Sequence, residues 1–154
     1  PESSHPGSIV RTTASVEYVK PTVGKNWWAT SFVWGQNYKQ DERRRTNAVL
    51  AETVVPFSRK NFVTGRFEWS QRDELFEYNH DLEEQVTRAT GQHAFNVTAY
   101  TAGYTRDIGT FRNLQAGLGA NVTAYGIDAA LKPFYGDQPW GVNVFVRFRL
   151  KPGA

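Results

Sequence analysis

Seven stretches of this chain alternate apolar and polar side chains, and the connections between them alternate short and long. The clearest stretch spans 114–124. Leu114, Ala116, Leu118, Ala120, Val122 and Ala124 fall on one side, with Gln115, Gly117, Gly119, Asn121 and Thr123 on the other. A period of two marks a β-strand, because successive side chains point to opposite faces. The same period predicts strands over 9–19, 27–38, 46–57, 61–72, 94–106 and 141–150. Most exceed the five or six residues usual in globular proteins. They match the ~9–11 residues with which a tilted strand crosses a bilayer.

The faces are consistent along each stretch. Val10, Thr12, Ala14, Val16 and Tyr18 oppose Arg11, Thr13, Ser15 and Glu17. Trp28, Phe32, Trp34 and Tyr38 oppose Ala29, Ser31, Gly35 and Asn37, and Val49, Ala51, Thr53, Val55 and Phe57 oppose Glu52. Val63, Gly65, Phe67 and Trp69 oppose Thr64, Arg66, Glu68, Ser70 and Arg72. Val142, Val144, Val146, Phe148 and Leu150 oppose Asn143, Phe145, Arg147 and Arg149. The string Asn-Val-Thr-Ala-Tyr occurs at 96–100 and at 121–125. Matching the two copies predicts Val97 and Ala99 outside with Val122 and Ala124, and Asn96, Thr98 and Tyr100 inside. Both copies also fit the N-glycosylation pattern, an accidental match in a bacterial barrel.

Two architectures alternate in this way: a soluble β-sandwich and a membrane β-barrel. Connection length favours the barrel. Residues 21–25, 58–60 and 107–112 are short links, whereas 39–45, 73–93 and 126–140 are longer. Outer-membrane barrels pair short periplasmic turns with longer outer loops. The fold expected is therefore all-β, an antiparallel transmembrane β-barrel of meander topology. On this orientation the first strand descends from the outer surface. Seven strands then form an open sheet with two bare edges, which lipid does not tolerate. The expectation is a C-terminal portion of a larger barrel, closed by upstream strands of the same chain or by another chain. Residues 1–8 would lead in as a loop, 9–150 would form the barrel strands, and 151–154 a periplasmic tail.

Composition narrows the classes without changing the fold. No run approaches the ~20 apolar residues of a membrane helix, and the mean hydropathy of −0.55 reflects strands that are half polar. Aromatics make up 14%, as barrel girdles require. There is no Cys, and three scattered His residues make no metal site. The net charge of +3 is modest. The basic stretch 39–45 includes Asp41 and Glu42, so it reads as a solvated loop and not as a nucleic-acid patch. Export to an outer membrane needs a signal, expected to be removed or to lie upstream.

Several motifs carry a family resemblance. They are Arg11-Thr12-Thr13-Ala14-Ser15-Val16, Asn26-Trp27-Trp28-Ala29-Thr30 with Trp34-Gly35, Leu50-Ala51-Glu52-Thr53 before Arg59-Lys60-Asn61, and 100–108 with Tyr125-Gly126 and Tyr135-Gly136. Together they cover nearly the whole chain. The chain resembles the C-terminal half of an uncharacterised outer-membrane β-barrel family of Acidobacteriota-type bacteria. That resemblance implies a longer protein, and it brings no activity and no catalytic residues.

The inward charges would be Arg11, Glu17, Glu52, Arg66, Glu68, Arg72, Arg147 and Arg149. The lipid-facing row would be Leu114, Ala116, Leu118, Ala120, Val122, Val142, Val144, Val146 and Phe148. Charged rings on a pore wall set ion preference, so the function expected is a porin-like conduit for small polar solutes or ions. The alternative is a non-conducting scaffold barrel that binds a partner in the outer membrane. A soluble sandwich binding module is a second alternative. An enzyme is disfavoured, because no nucleophile, base and orienting group converge; Glu52 and Glu68 lack the substrate cleft of a glycosidase dyad. Trp27, Trp28, Trp34, Trp69 and Trp140 read as interfacial girdle rather than sugar platforms. The acidic run Asp81-Leu82-Glu83-Glu84 misses calcium-loop spacing. No cofactor is expected. The partners expected are outer-membrane lipid, lipopolysaccharide phosphates at Arg43, Arg44 and Arg45, and closing strands, with no nucleic acid.

Overall fold

A computed structural model describes residues 8–22, 26–41, 43–72, 88, 91 and 94–150. The predicted terminal segments 1–7 and 151–154 lie outside the described residues, as does the acidic run near 81–84. Seven strands form one antiparallel sheet in chain order: β1 (Ile9–Thr22), β2 (Asn26–Lys39), β3 (Arg44–Ser58), β4 (Asn61–Arg72), β5 (Phe95–Phe111), β6 (Leu114–Ile127) and β7 (Trp140–Leu150). Every neighbour in sequence is a neighbour in space, and no second sheet packs against this one among the described residues. The sheet is open, with β1 and β7 as its edges. Those edge strands run in the same direction, being separated by six antiparallel steps.

The register also tilts the strands. Glu17, Ser31, Glu52, Arg66, Thr101, Thr123 and Gly141 lie in one hydrogen-bonded row. Glu17 sits just past the middle of β1, whereas Gly141 is the second residue of β7. The strands are therefore staggered by about five residues across the sheet. With ~3.3 Å per residue and ~4.8 Å between strands, this stagger corresponds to a tilt of roughly 30°. Barrels need about 35–45°.

Three local expectations change. β5 continues past Arg106 to Phe111, so the link to β6 is only Arg112 and Asn113. Asp107-Ile108-Gly109 looks like a turn in sequence, but it is a bulge within the strand, where the register shifts between Asp107 and Gly109. Arg112 takes a left-handed backbone (φ 51°) to make the tight reversal. The connection at 39–45 shrinks to 40–43, because the strands zip up to Lys39 paired with Arg44. The length contrast between alternate links thus rests on 73–94 and 128–139.

The two Asn-Val-Thr-Ala-Tyr copies face opposite ways. Register places Tyr100 beside Ala124 and Ala99 beside Tyr125. Val97 and Ala99 therefore lie on the inner face with Thr101, Gly103, Thr105 and Asp107. Asn96, Thr98 and Tyr100 lie on the outer face, the reverse of what the matched strings predict. The rest of each strand decides the orientation: β5 has to place Tyr100, Ala102 and Tyr104 outside to keep Asp107 inside.

Buried apolar residues are few. Phe95 packs with Leu131 from a 3-10 turn (Ala129–Leu131) that precedes a short helix, α1 (Lys132–Tyr135), with Ile127 and Ala130 beside them. This cluster clamps the link between β6 and β7 onto the start of β5. Asp128 supports it by accepting the Asn96 backbone N–H at 2.7 Å. It is a cap at one end of the sheet and not a core beneath it.

Candidate functional site

The two faces of the sheet are inverted relative to those of a soluble protein. All nine residues of the predicted lipid-facing row share one face: Leu114, Ala116, Leu118, Ala120 and Val122 of β6, with Val142, Val144, Val146 and Phe148 of β7. That face is bare. Leu118 is 47% exposed, Val144 67% and Phe148 63%. The opposite face carries the polar side chains and is the more buried one. Thr105 and Asp107 are 4% and 2% exposed.

The apolar face is banded. On β4, Val63, Gly65, Phe67 and Trp69 lie between Asn61 and Gln71. On β5, Thr98, Tyr100, Ala102 and Tyr104 lie between Asn96 and Arg106, which pair with Gln71 and Asn61. One polar border runs through Thr12, Gln36, Asn47, Gln71 and Asn96. It is knitted together by Gln36 Nε2 donating to Asn47 Oδ1 (3.0 Å) and by the Asn47 backbone N–H donating to Gln71 Oε1 (3.0 Å). The ten residue steps from Asn61 to Gln71 span ~33 Å along the strand at ~3.3 Å per residue. At the sheet's own tilt of roughly 30° the band is about 29 Å tall, close to the ~25 Å apolar belt of outer-membrane barrels.

Aromatic rings stand toward both ends of this band. Tyr18 meets Trp28 edge-on at 6.0 Å, and Phe57 lies 6.2 Å from Tyr104, near the short turns. Trp34, Trp69 and Trp140 lie toward the other end on the same outer face. Trp27 pairs with Pro21 and belongs to the polar face, so four of the five tryptophans, and not all five, share the apolar face. The Trp28 indole N–H donates to Thr53 Oγ1 at 2.7 Å, and Thr30 shares that hydroxyl at 2.9 Å. The outward polar atoms of Trp28, Thr30 and Thr53 thus find partners within the sheet.

All eight predicted inward charges, Arg11, Glu17, Glu52, Arg66, Glu68, Arg72, Arg147 and Arg149, lie on the polar face. Seven of them fall into three groups, and Arg72 stands apart. Arg66 bridges Glu52 (3.3 Å) and Glu68 (2.6 Å), so these carboxylates converge on one guanidinium instead of flanking a cleft. Arg147 and Arg149 converge on Asp107, at 2.9 and 2.7 Å. Gln115 completes that cluster, donating to Asp107 (2.9 Å) and accepting from Arg149 Nε (2.9 Å). Both guanidinium groups stack over the Phe62 ring at 5.2 and 5.4 Å. Arg11 and Glu17, on the edge strand, have no ion-pair or hydrogen-bond partner among the described residues. Arg72 lies near the far end of β4, with its Nε 3.3 Å from Ser70 Oγ.

Asp107, Gln115 and Phe62 were not legible as one site. Asp107 reads as a turn residue beside Gly109, and only the bulge keeps it in the strand. A Cβ at Gly119 would come within 2.7 Å of the Phe145 ring and 2.8 Å of Thr105 Oγ1, and one at Gly117 within 3.1 Å of Asp107 Oδ1. These glycines let Phe145 and the Asp107 cluster lie flat against β6.

The three arginines expected to hold lipopolysaccharide do not form one cluster. Arg43 is in the turn with φ 51°, Arg44 pairs with Lys39 on the polar face, and Arg45 lies on the apolar face, over the Tyr38 ring at 5.2 Å. Strand alternation separates Arg44 from Arg45. Among the described residues, no group of three acidic or histidine side chains could hold a metal. No helix is long and apolar enough to cross a membrane, which has no bearing on crossing by strands. No protein-family profile, curated protein or solved structure matches the chain.

Proposed function

We propose that these strands are part of an outer-membrane β-barrel, with the apolar face in lipid and the polar face lining an interior that passes small polar solutes or ions. The observation that carries this reading is the inverted sheet: an exposed apolar band of bilayer height between polar borders, backed by a face of paired charges. Exposed apolar patches beyond a few hundred Å² are rare on soluble monomers. The two edge strands require further strands, because unpaired backbone groups cost several kcal/mol each in hydrocarbon. The mechanism would be diffusion without chemistry. The closed assembly, this chain together with the strands that complete its wall, purified in detergent and reconstituted in a planar bilayer, should give discrete conductance steps. A silent bilayer with protein inserted would overturn the conduit.

A second reading is favoured by one observation. Phe62, Phe145, Asp107, Arg147 and Arg149 pack over each other across β4 to β7 and fill that part of the polar face. A barrel filled in this way throughout is a scaffold for a membrane partner. Insertion without conductance supports it.

A further inference from the structure

The free edge of β1 differs from the paired clusters of the polar face in one respect. In the Arg66 group each charge has its counter-charge on its own strand or the next, and Asp107 draws Arg147 and Arg149 from two strands away. Arg11 and Glu17 also face inward, opposite Asn37 and Ser31, but neither has a partner among the described residues. Both project beside a row of backbone N–H and C=O groups that has no strand partner among the described residues. β1 is long and pairs with β2 in unbroken register, so its other edge presents a straight ladder.

Resting on the membrane reading above, we infer that this edge receives a further β-strand, antiparallel to β1, with an acidic side chain across from Arg11 and a basic one across from Glu17. In the incoming strand the base precedes the acid by six residues, and apolar residues face those of Val10, Ala14, Val16 and Tyr18. Opposite charges on directly facing residues stabilise a pair and like charges oppose it, so the two positions together select both register and direction. β1 itself carries a base six residues before an acid, Arg11 and Glu17. An inverted second copy would satisfy the charges, with Ala14 at the centre of the pairing. That copy would place its long connections on the opposite side of the bilayer, so the inference commits to a strand other than β1.

The test uses the full chain in detergent micelles and two synthetic peptides that differ only in exchange of the acid and the base. The peptide with the base facing Glu17 should be retained roughly tenfold better than its exchanged twin, as two matched charge pairs allow. In a chain carrying Arg11→Glu and Glu17→Arg the preference should reverse. Thr13→Cys should form a disulfide with a cysteine at the facing peptide position and not with one two residues away. Equal retention of the twins overturns the inference, as does disulfide formation between two copies carrying Arg11→Cys and Glu17→Cys. A lipid-soluble photolabel on Val142 and Val144 is read in parallel. Loss of labelling overturns the membrane reading, whereas indifferent peptides with labelling intact overturn only the edge.

Discussion

β1 and the β5–β7 corner carry the same kind of inward side chain in different settings. Every described side chain of β1 is exposed. At the corner, Asp107 is 2% exposed, held by two arginines and a glutamine, with Phe62 beneath the guanidinium groups. Neighbour count does not separate them, since β7 is an edge strand like β1; what differs is that the arginines of β7 reach Asp107 on β5, whereas β2 sets only Asn37 and Ser31 opposite Arg11 and Glu17. A charge on the polar face is structural where a strand within reach carries its counter-charge, as Asp107 does for Arg147 and Arg149, and it stays exposed where none does.

This contrast can be broken or sharpened by substitution. The largest effect should come from outside the comparison, on the apolar face. Val122→Arg places a guanidinium within the apolar band of an interior strand, and should cost roughly 2–4 kcal/mol in a lipid bilayer. Urea unfolding in vesicles measures it. A change near zero would mean that water, and not lipid, covers this face. Asp107→Ala should come next, at about 2–3 kcal/mol, because it strands two arginines; their partial exposure keeps the cost below that of a fully buried pair. Restoring Arg147→Ala in the same chain should recover part of the loss, as a double-mutant cycle would show. Gly119→Ala should cost roughly 1–3 kcal/mol, since its Cβ meets Phe145 and Thr105. Arg11→Ala should shift stability by less than ~0.5 kcal/mol, as for an exposed residue without a partner. A loss at Arg11 equal to that at Asp107 would erase the distinction between edge and corner.

Much of this was readable from the chain. Alternation alone placed six of the seven strands on their correct faces, because the period of two is local and needs no knowledge of neighbours. The failures share one physical origin. The face of β5 was assigned by matching five residues to β6, whereas the whole strand must agree: Tyr100, Ala102 and Tyr104 outside against Thr101, Gly103, Thr105 and Asp107 inside. The bulge at Ile108 and the convergence of Asp107, Gln115, Arg147 and Arg149 depend on register between strands far apart in sequence. A pattern along one strand does not encode that register. The arginine run 43–45 shows the converse, since adjacency in sequence guarantees separation in a strand.

The direction shared by β1 and β7 has a consequence for assembly. A ring built only from rotated copies of this unit would join the last strand of one to the first of the next head-to-head, leaving a parallel seam at every junction. Inserting an odd number of strands restores an uninterrupted antiparallel wall. The count of inserted strands, and not their identity, therefore decides whether the wall is uniform.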